Sequence, residues 1–159
     1  MLKKVFILMV VAVVAMLVVA PAVYAEEPRG EEQLRGEGSL TAHGDGLAIL
    51  AGRGTVDLSG NGILWVKDRA GDALIEVTGQ GETKEYPDGW FQYAGFHGTA
   101  HVRGSGIVVV AAGVNVELNA HGRGIAWLWG HGSYQSSADG AGEWRTVGWG
   151  ARVRLATPR

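Results

Sequence analysis

The sequence of 159 residues contains no cysteine. Disulfides and thiolate metal ligands are therefore excluded, and stability must come from burial and backbone hydrogen bonding. Basic residues are also in short supply, because 14 Lys and Arg stand against 16 Asp and Glu. No basic stripe is present that could meet phosphate groups, so the composition argues against a nucleic-acid-binding protein.

The N-terminal residues have the features of a secretory signal peptide. Lys3 and Lys4 are followed by an unbroken apolar run from Val5 to Ala20, and residues 23–25 place small side chains at the cleavage positions. The run is shorter than the roughly 20 residues of a membrane-spanning helix, which favours cleavage before Glu26 over a retained anchor. We therefore expect a secreted, periplasmic or cell-surface protein that contacts the membrane only during export.

The chain is predicted to have three parts. Residues 1–25 form the signal peptide, and cleavage is expected near Ala25. Residues 26–37 are polar and acidic without apolar periodicity, which predicts a flexible leader. Residues 38–159 have the size of one ordinary domain and are predicted to form a single β-repeat domain.

Glycine pairs of the form Gly-x-Gly recur along the chain on a short period. The first four pairs are spaced eight residues apart. The pairs begin at Gly36, Gly44, Gly52, Gly60, Gly79, Gly104, Gly122, Gly130, Gly140 and Gly148. Residues 54–66 also resemble residues 98–110, so the chain repeats internally, and such repetition decides the fold class.

Apolar residues and glycines share one parity in the first repeats. From Leu40 to Val66 every even position holds an apolar residue or a glycine. Because side chains alternate between the two faces of a strand, these positions are predicted to share one interior face. Glycine on that face lets the backbone bend sharply and approach another segment closely. No helical period of 3.6 residues is present, so an all-β fold is predicted.

The odd positions distinguish two kinds of segment. We call each Gly-x-Gly pair a corner, because the strand is expected to bend there. Before a corner the outward side chains are polar, as at Ser39, Thr41 and His43. After a corner they are largely apolar, at Leu47, Ile49, Ile63, Trp65, Ile107, Val109, Ile125, Trp127 and Trp129. In a flattened parallel β-solenoid, segments that precede a corner would stack on one another, and segments that follow a corner would do the same. This arrangement is favoured because it gives one polar outer face and one apolar outer face.

The alternative is an antiparallel β-meander or barrel whose strands bend at the Gly-x-Gly corners. Residues 69–72, 87–89 and 138–140 have the composition of hairpin turns, which supports it. In either arrangement the aromatic residues 82–97 interrupt the period, and they are predicted to form a hairpin that caps the apolar sheet.

Two glycine-rich segments also suggest a family. The sequences Ser-Gly-Asn-Gly at residues 59–62 and Arg-Gly-Ser-Gly at residues 103–106, set between short alternating strands, resemble the secreted β-helical adhesin domains called "head GIN" domains. The resemblance covers residues 38–134 and implies a location at the cell surface.

The glycine pairs do not predict a cofactor site. A dinucleotide fingerprint needs a third glycine at a fixed spacing between a strand and a helix, and no pair has one. Calcium-binding repeats need oxygen ligands between most of the glycine pairs, whereas this chain has Arg53, Arg123 and His131 there beside Asp45 and Asn61. One incidental calcium site near Asp45 is the alternative that this pattern leaves open. We therefore expect no cofactor and no nucleotide.

Three histidines are weak candidates for a metal site. His43 and His121 both stand just before a corner glycine, and His101 lies two residues away from that position in its own repeat. Zinc needs three or four converging ligands, whereas the remaining equivalent positions hold Ser59 and Arg103. Exposed imidazoles without a metal are the favoured interpretation.

No catalytic residues are predicted. The serines near His131 lack the sequence around a nucleophile elbow, and a catalytic triad is recognised by geometry and not by closeness in sequence. The carboxylates occupy positions typical of solvated strands and turns. The chain is therefore not expected to be an enzyme.

The tryptophans are the candidate binding surface. Trp65, Trp127 and Trp129 fall on the predicted outward side of the apolar sheet, and Trp90 lies in the predicted hairpin. Indole rings offer large apolar area at little entropic cost, so they can anchor a partner or stack on sugars. The alternative is that they pack as core beneath residues 82–97 or a C-terminal strand.

These features together predict an exported cell-envelope protein with a structural, adhesive or self-association role and no catalytic activity. The expected partners are a second copy of the chain, an envelope polymer or a glycan. A carbohydrate-binding module that uses the same tryptophans is the first alternative, and a polysaccharide-active enzyme is the second.

Overall fold

The structure, a computed structural model, describes residues 37–156. The predicted signal peptide, residues 1–25, and the predicted leader up to residue 36 lie outside the described residues. The described chain forms five strands: β1 (Gly38–Asp68), β2 (Leu74–Glu85), β3 (Trp90–Ser136), β4 (Gly140–Glu143) and β5 (Ala151–Arg154). No helix occurs within residues 37–156, so the all-β prediction is confirmed.

Short turns join the strands at the three predicted positions. Residues 69–73 separate β1 from β2, residues 86–89 separate β2 from β3, and residues 137–139 separate β3 from β4. Asp68 stabilises the first turn, because its carboxylate accepts hydrogen bonds from the backbone N–H groups of Ala70, Gly71 and Ala73. The side chain thus satisfies donors that have no strand partner.

Strand direction differs from the prediction of parallel stacking. β1 and β3 pair antiparallel, and β2, β4 and β5 each pair antiparallel with β3. The sequence argument against this direction is that it would mix polar with apolar segments. That argument fails because the register places corner against corner. Gly46 pairs with both Gly113 and Gly130, so polar segments still meet polar segments.

Each segment of β1 has a segment of β3 on either side. Leu40, for example, pairs with both Ala120 and Ser136. Because both strands bend at glycine corners, their segments form two layers, which we name the polar layer and the apolar layer after their outward side chains. In order across the sheet, the polar layer contains β4 and residues 132–136, 38–44, 116–122, 54–60, 98–104 and 74–79. The apolar layer contains β5 and residues 124–130, 46–52, 107–113, 62–68, 90–96 and 82–85.

One hydrophobic core is shared by the two layers. The predicted inward positions of β1 all belong to it: Leu40, Ala42, Ala48, Leu50, Val56, Leu58, Leu64 and Val66. Burial of each leucine or valine side chain contributes about 1.5–3 kcal/mol relative to exposure in water. The interior-parity prediction for β1 is therefore confirmed, and this burial stabilises the pairing of the two layers.

Ile107 and Val109 are predicted to point outward, and this prediction is wrong. Both are buried in the core, and Val110 lies on the outer side instead. The register shows one additional residue of β3 in each of two corners, at residues 104–107 and 113–116. A one-residue shift exchanges the two faces of a strand, so the segment between these corners has the opposite parity.

Glycine is required at the corners because two backbones meet there. A Cβ atom on Gly54 would lie 2.0 Å from the carbonyl oxygen of His121, and φ of Gly54 is +130°. The partner corner is equally tight, since a Cβ atom on Gly122 would lie 2.1 Å from the carbonyl oxygen of Arg53. No side chain fits in this space, and only glycine adopts this backbone conformation readily.

Substitution of a corner glycine should therefore cost stability. We expect Gly54→Ala to lower the free energy of unfolding by about 2 kcal/mol or more, through backbone strain and the clash with the facing carbonyl. Urea titration followed by tryptophan emission measures this loss. Gly106→Ala is the matched control, because its Cβ would lie 3.3 Å from the nearest atom and its φ is not in the glycine region. Equal losses in the two variants would contradict the account of the corners.

Candidate binding face

The outer side of the apolar layer carries the predicted binding residues. Cross-strand partners share one face of a sheet, so the register defines the residues on this side. They are Leu47, Ile49, Ile63, Trp65, Trp90, Val108, Val110, Ala112, Ile125, Trp127 and Trp129, which we call the outer apolar face. Its central pair, Ile49 and Val110, is buried although it lies outside the shared core, and indole-bearing residues flank it on both sides. The partly exposed residues of this face are Leu47, Ile63, Trp65, Ile125, Trp127 and Trp129.

At one edge, the hairpin between β2 and β3 covers two of the candidate tryptophans. Tyr86 stacks on Trp65 with ring centroids 5.3 Å apart and an interplanar angle of 29°. Trp90 meets Trp65 edge-on at 6.1 Å and is only 5% exposed. The buried Nε1 of Trp65 has no hydrogen-bond partner among the described residues. Trp65 and Trp90 thus form a packed aromatic cluster with Tyr86. The strands of the predicted capping hairpin, residues 82–85 and 90–96, extend the apolar layer at its edge and do not lie over it.

Removal of the covering ring should open this cluster to water. We expect Tyr86→Ala to shift tryptophan emission to longer wavelength and to allow iodide quenching of Trp65, with a stability loss of about 1–3 kcal/mol. Tyr86→Phe is the control, since it keeps the ring and loses only the hydroxyl that donates to Gln92 Oε1 at 2.9 Å. If Tyr86→Ala leaves emission and quenching as in Tyr86→Phe, Tyr86 does not cover Trp65.

The other edge carries Trp127 and Trp129, which are partly exposed. The Nε1 of Trp129 donates to the carbonyl oxygen of Gly148 at 3.2 Å. A Cβ atom on Gly150 would lie 2.7 Å from the Trp129 ring, so the backbone there rests directly on the indole. The segment between β4 and β5 is therefore fixed against this edge of the face.

That segment also presents the most exposed apolar side chains of the described chain. Trp149 is 79% exposed and Val147 is 75% exposed. We call residues 146–150 the tip. Sequence reasoning assigned no role to Trp149, because the tip lies after the last clear repeat and has no alternation. The signal that could have found it is a tryptophan held between two glycines, Gly148 and Gly150.

Trp144, which precedes the tip, has the opposite environment. It is 5% exposed and belongs to the shared core, and its Nε1 donates to the carbonyl oxygen of Ser133 at 3.2 Å. A Cβ atom on Gly44 would lie 2.4 Å from the carbonyl oxygen of His131 and 3.1 Å from the Trp144 ring, so glycine leaves room for both the facing backbone and the indole. Trp144 therefore anchors the polypeptide from which the tip projects.

Arginines line the same edge of the outer apolar face. Arg152 pairs across the sheet with Trp127, Arg154 pairs with Ile125, and Arg145 forms a bridge with Trp129. Each arginine thus lies on the same side of the sheet as an apolar outward residue. Within residues 37–156, neither Arg145 nor Arg152 forms an ion pair.

Arg154 is held by Asp139 in the turn after β3. Its Nε and Nη2 atoms donate to Asp139 Oδ1 at 2.9 and 2.6 Å, and its backbone N–H donates to Oδ2 at 2.6 Å. Hydrogen bonding from the Arg154 side chain holds the pKa of Asp139 below its ordinary value, with a smaller electrostatic contribution from Arg152. This pair fixes β5, and with it the arginine edge, to the turn at residues 137–139.

The Asp139 carboxylate should stabilise the fold only when it is ionised. A carboxylate whose pKa is lowered on folding contributes stability above its unfolded pKa of about 4 and loses it as the pH falls through the folded value. We expect Asp139→Asn to cost about 0.5–1 kcal/mol at pH 7, with the difference from the parent chain vanishing toward pH 2. Urea titrations across this pH range measure it.

Asp88→Asn is the control for this prediction. Asp88 lies 3.9 Å from Lys67 Nζ and its side chain is 63% exposed, so its removal should matter little at any pH. A difference between Asp139→Asn and the parent chain that stays constant down to pH 2 would contradict the role given to the carboxylate.

The predicted metal candidates lie on the outer side of the polar layer, away from the tryptophans. His101 Nδ1 lies 2.6 Å from Asp57 Oδ1, and His43 Nδ1 lies 3.9 Å from Glu117 Oε1. His121 is four residues from Glu117 along the same segment, which places it about 13 Å from the His43 pair at 3.3 Å per residue. Within residues 37–156 no group of three or more metal-ligating side chains converges.

Comparison of the chain with protein-family models, curated proteins and solved structures finds no match. Among residues 37–156 no helix has the length and apolar character needed to cross a membrane.

Proposed function

We propose that this chain is an exported, non-catalytic protein of the cell envelope that acts by adhesion through the outer apolar face and its tip. The observation that carries the proposal is the exposure of Trp149 and Val147 beside Trp127 and Trp129. A cluster of exposed aromatic and aliphatic side chains is unfavourable in water and is typical of a surface that a partner covers.

The attachment of the tip supports this proposal. The hydrogen bond from Trp129 to Gly148 and the contact of Gly150 with the indole hold the tip in one place before any partner arrives. A preorganised surface loses less conformational entropy on binding than a mobile one. The exposed side chains are thus presented on a rigid base, as adhesion requires.

Export and a structural role are parts of the same proposal. The charged start, apolar run and small cleavage residues before Glu26 support export. The resemblance of residues 38–134 to secreted adhesin domains supports a surface location. We also infer that β1 and β3 wind together as one flattened coil, with β2 at one end and residues 140–155 at the other, so that both ends are capped.

A carbohydrate-binding module is the second candidate. It is favoured by a shallow depression of about 490 Å³ next to the tip. The depression is lined by Gly130, His131, Gly132, Glu143, Trp144, Arg145, Thr146 and Val147. Polar and charged side chains at its wall could bond sugar hydroxyls while Trp149 stacks on a ring.

Trp149 should dominate adhesion without contributing to the fold. We expect Trp149→Ala to weaken retention of the chain on isolated cell envelopes by about 30-fold, the effect typical of an anchoring indole. Its melting temperature should stay within about 2 °C of the parent value, because an exposed side chain contributes little to stability. Sedimentation of the chain with washed envelopes measures retention.

Leu74→Ala is the matched control, since Leu74 is also exposed, at 51%, but lies on the outer side of the polar layer. Equal retention of the two variants would contradict adhesion through the tip. Release of the parent chain by soluble envelope glycans would favour the carbohydrate-binding candidate. Growth in size with concentration in light scattering, lost in Trp149→Ala, would instead indicate self-association.

A further inference from the structure

We infer that the partner of the outer apolar face is the surface of an anionic lipid bilayer. This inference rests on the proposed function and adds the chemistry of the partner. It replaces the expectation from the sequence that the chain contacts the membrane only during export. Three observations lead to it: the charges of the two layers differ in sign, the tip is apolar, and arginines lie beside the partly exposed tryptophans.

The register separates the charges of the protein between its two outer sides. On the outer side of the polar layer four carboxylates accompany one arginine: Asp57, Glu76, Glu117 and Glu143, with Arg103. On the outer apolar side five basic side chains accompany one carboxylate: Lys67, Lys84, Arg145, Arg152 and Arg154, with Glu82. The chain as a whole has a formal net charge of −2, so this asymmetry comes from the fold and not from composition. An anionic surface would attract the apolar side and repel the polar side.

Nearby carboxylates neutralise part of the positive charge on the outer apolar side. Arg154 is bonded to Asp139, and Lys67 lies 3.9 Å from Asp88. Arg145, Arg152 and Lys84 form no ion pair within residues 37–156. These three cations lie at opposite edges of the outer apolar face, so its apolar centre has basic charge on both sides.

The tip suits the boundary between lipid head groups and acyl chains. Indole prefers this boundary because its ring is apolar while its N–H needs a polar partner, and Val147 adds a purely apolar side chain. Arg145 and Arg152 flank the tip in sequence, and long arginine side chains can extend to phosphate groups while their stems lie on apolar surface. Exposed apolar residues ringed by basic residues are typical of proteins that lie on a membrane surface.

Other partners match the face less well. In a symmetric dimer through this face, basic side chains would meet basic side chains, because Glu82 is the one carboxylate that the register places there. Like charges across an interface oppose association. A neutral glycan would leave the arginines unmatched, and an anionic polysaccharide would leave Val147 and Trp149 without an apolar environment. A bilayer with anionic head groups provides both chemistries.

Quenching by brominated lipids tests the inference on the mature chain, which begins at Glu26 after the expected cleavage. The probe is a vesicle of brominated phosphatidylcholine containing about one third phosphatidylglycerol, and the signal is tryptophan emission. All six tryptophans lie at or after residue 65, so the mature chain keeps every one of them, and the apolar N-terminal run cannot anchor it to the vesicle. We expect emission to fall by about half, because Trp127, Trp129 and Trp149 would meet the bilayer, whereas Trp90 and Trp144 are buried and Trp65 is stacked on Tyr86. Vesicles without bromine should cause no such fall.

Charge reversal identifies the surface that docks. We expect Arg152→Glu to weaken the quenching titration with anionic vesicles on the order of tenfold. Arg103→Glu is the matched control, because it makes the same charge change at an exposed arginine of the outer polar side, and it should shift the titration less than about twofold. Equal shifts in the two variants, or equal quenching by vesicles of phosphatidylcholine alone, would overturn the inference.

The outcomes separate this inference from the proposed function. If Trp149→Ala loses retention on envelopes but the parent chain is not quenched by brominated anionic vesicles, adhesion stands and the lipid partner is wrong. If quenching is absent and envelope retention does not depend on Trp149, both are wrong. If Arg152→Glu weakens the quenching and Arg103→Glu does not, the result supports both adhesion through the tip and the lipid partner.

Discussion

The close approach of two backbones at most of the paired glycine corners of β1 and β3 is the contact on which the rest of the structure depends. At Gly46 a Cβ atom would lie 2.0 Å from the carbonyl oxygen of Trp129, and at Gly130 it would lie 2.1 Å from that of Asp45. The contacts are reciprocal, so each corner of β1 fixes the position of a corner of β3. Because corners can pair only with corners, the register of the two long strands is set along their whole length.

The register, in turn, determines which side chains lie on each of the two outer sides. Once corners align, polar segments of β1 lie beside polar segments of β3, and apolar segments lie beside apolar ones. The same alignment collects carboxylates on one side and basic residues on the other. The binding face is therefore a consequence of the corner contacts.

Much of the fold could be predicted from local sequence, because alternation and turn composition act over a few residues. The strands, the turns and the inward positions of β1 followed from such signals. Strand direction did not, because sorting of like segments is compatible with either direction once corners align. The reversed parity at Ile107 and Val109 depends on one additional residue in each of two corners. These additional residues of β3 are recognised only from its pairing with β1, which the sequence alone does not show.

The candidate site was partly accessible to sequence reasoning. Trp127 and Trp129 lie on the expected side, because the alternation of their segment is regular. Trp65 and Trp90 are covered through contacts with Tyr86, a turn residue whose position depends on the hairpin. Trp149 lies beyond the repeats, so no period could assign it. The sign of the charge on each outer side requires the register, which a single sequence does not reveal.

The central claim is that the protein binds through the outer apolar face and the tip while the polar side stays in water. Hydrogen–deuterium exchange of the chain bound to isolated envelopes tests this claim most directly. The account predicts slower exchange on binding at residues 145–154, with residues 116–122 of the polar layer unchanged. Protection of residues 116–122, with residues 145–154 exchanging as in the free chain, would contradict it.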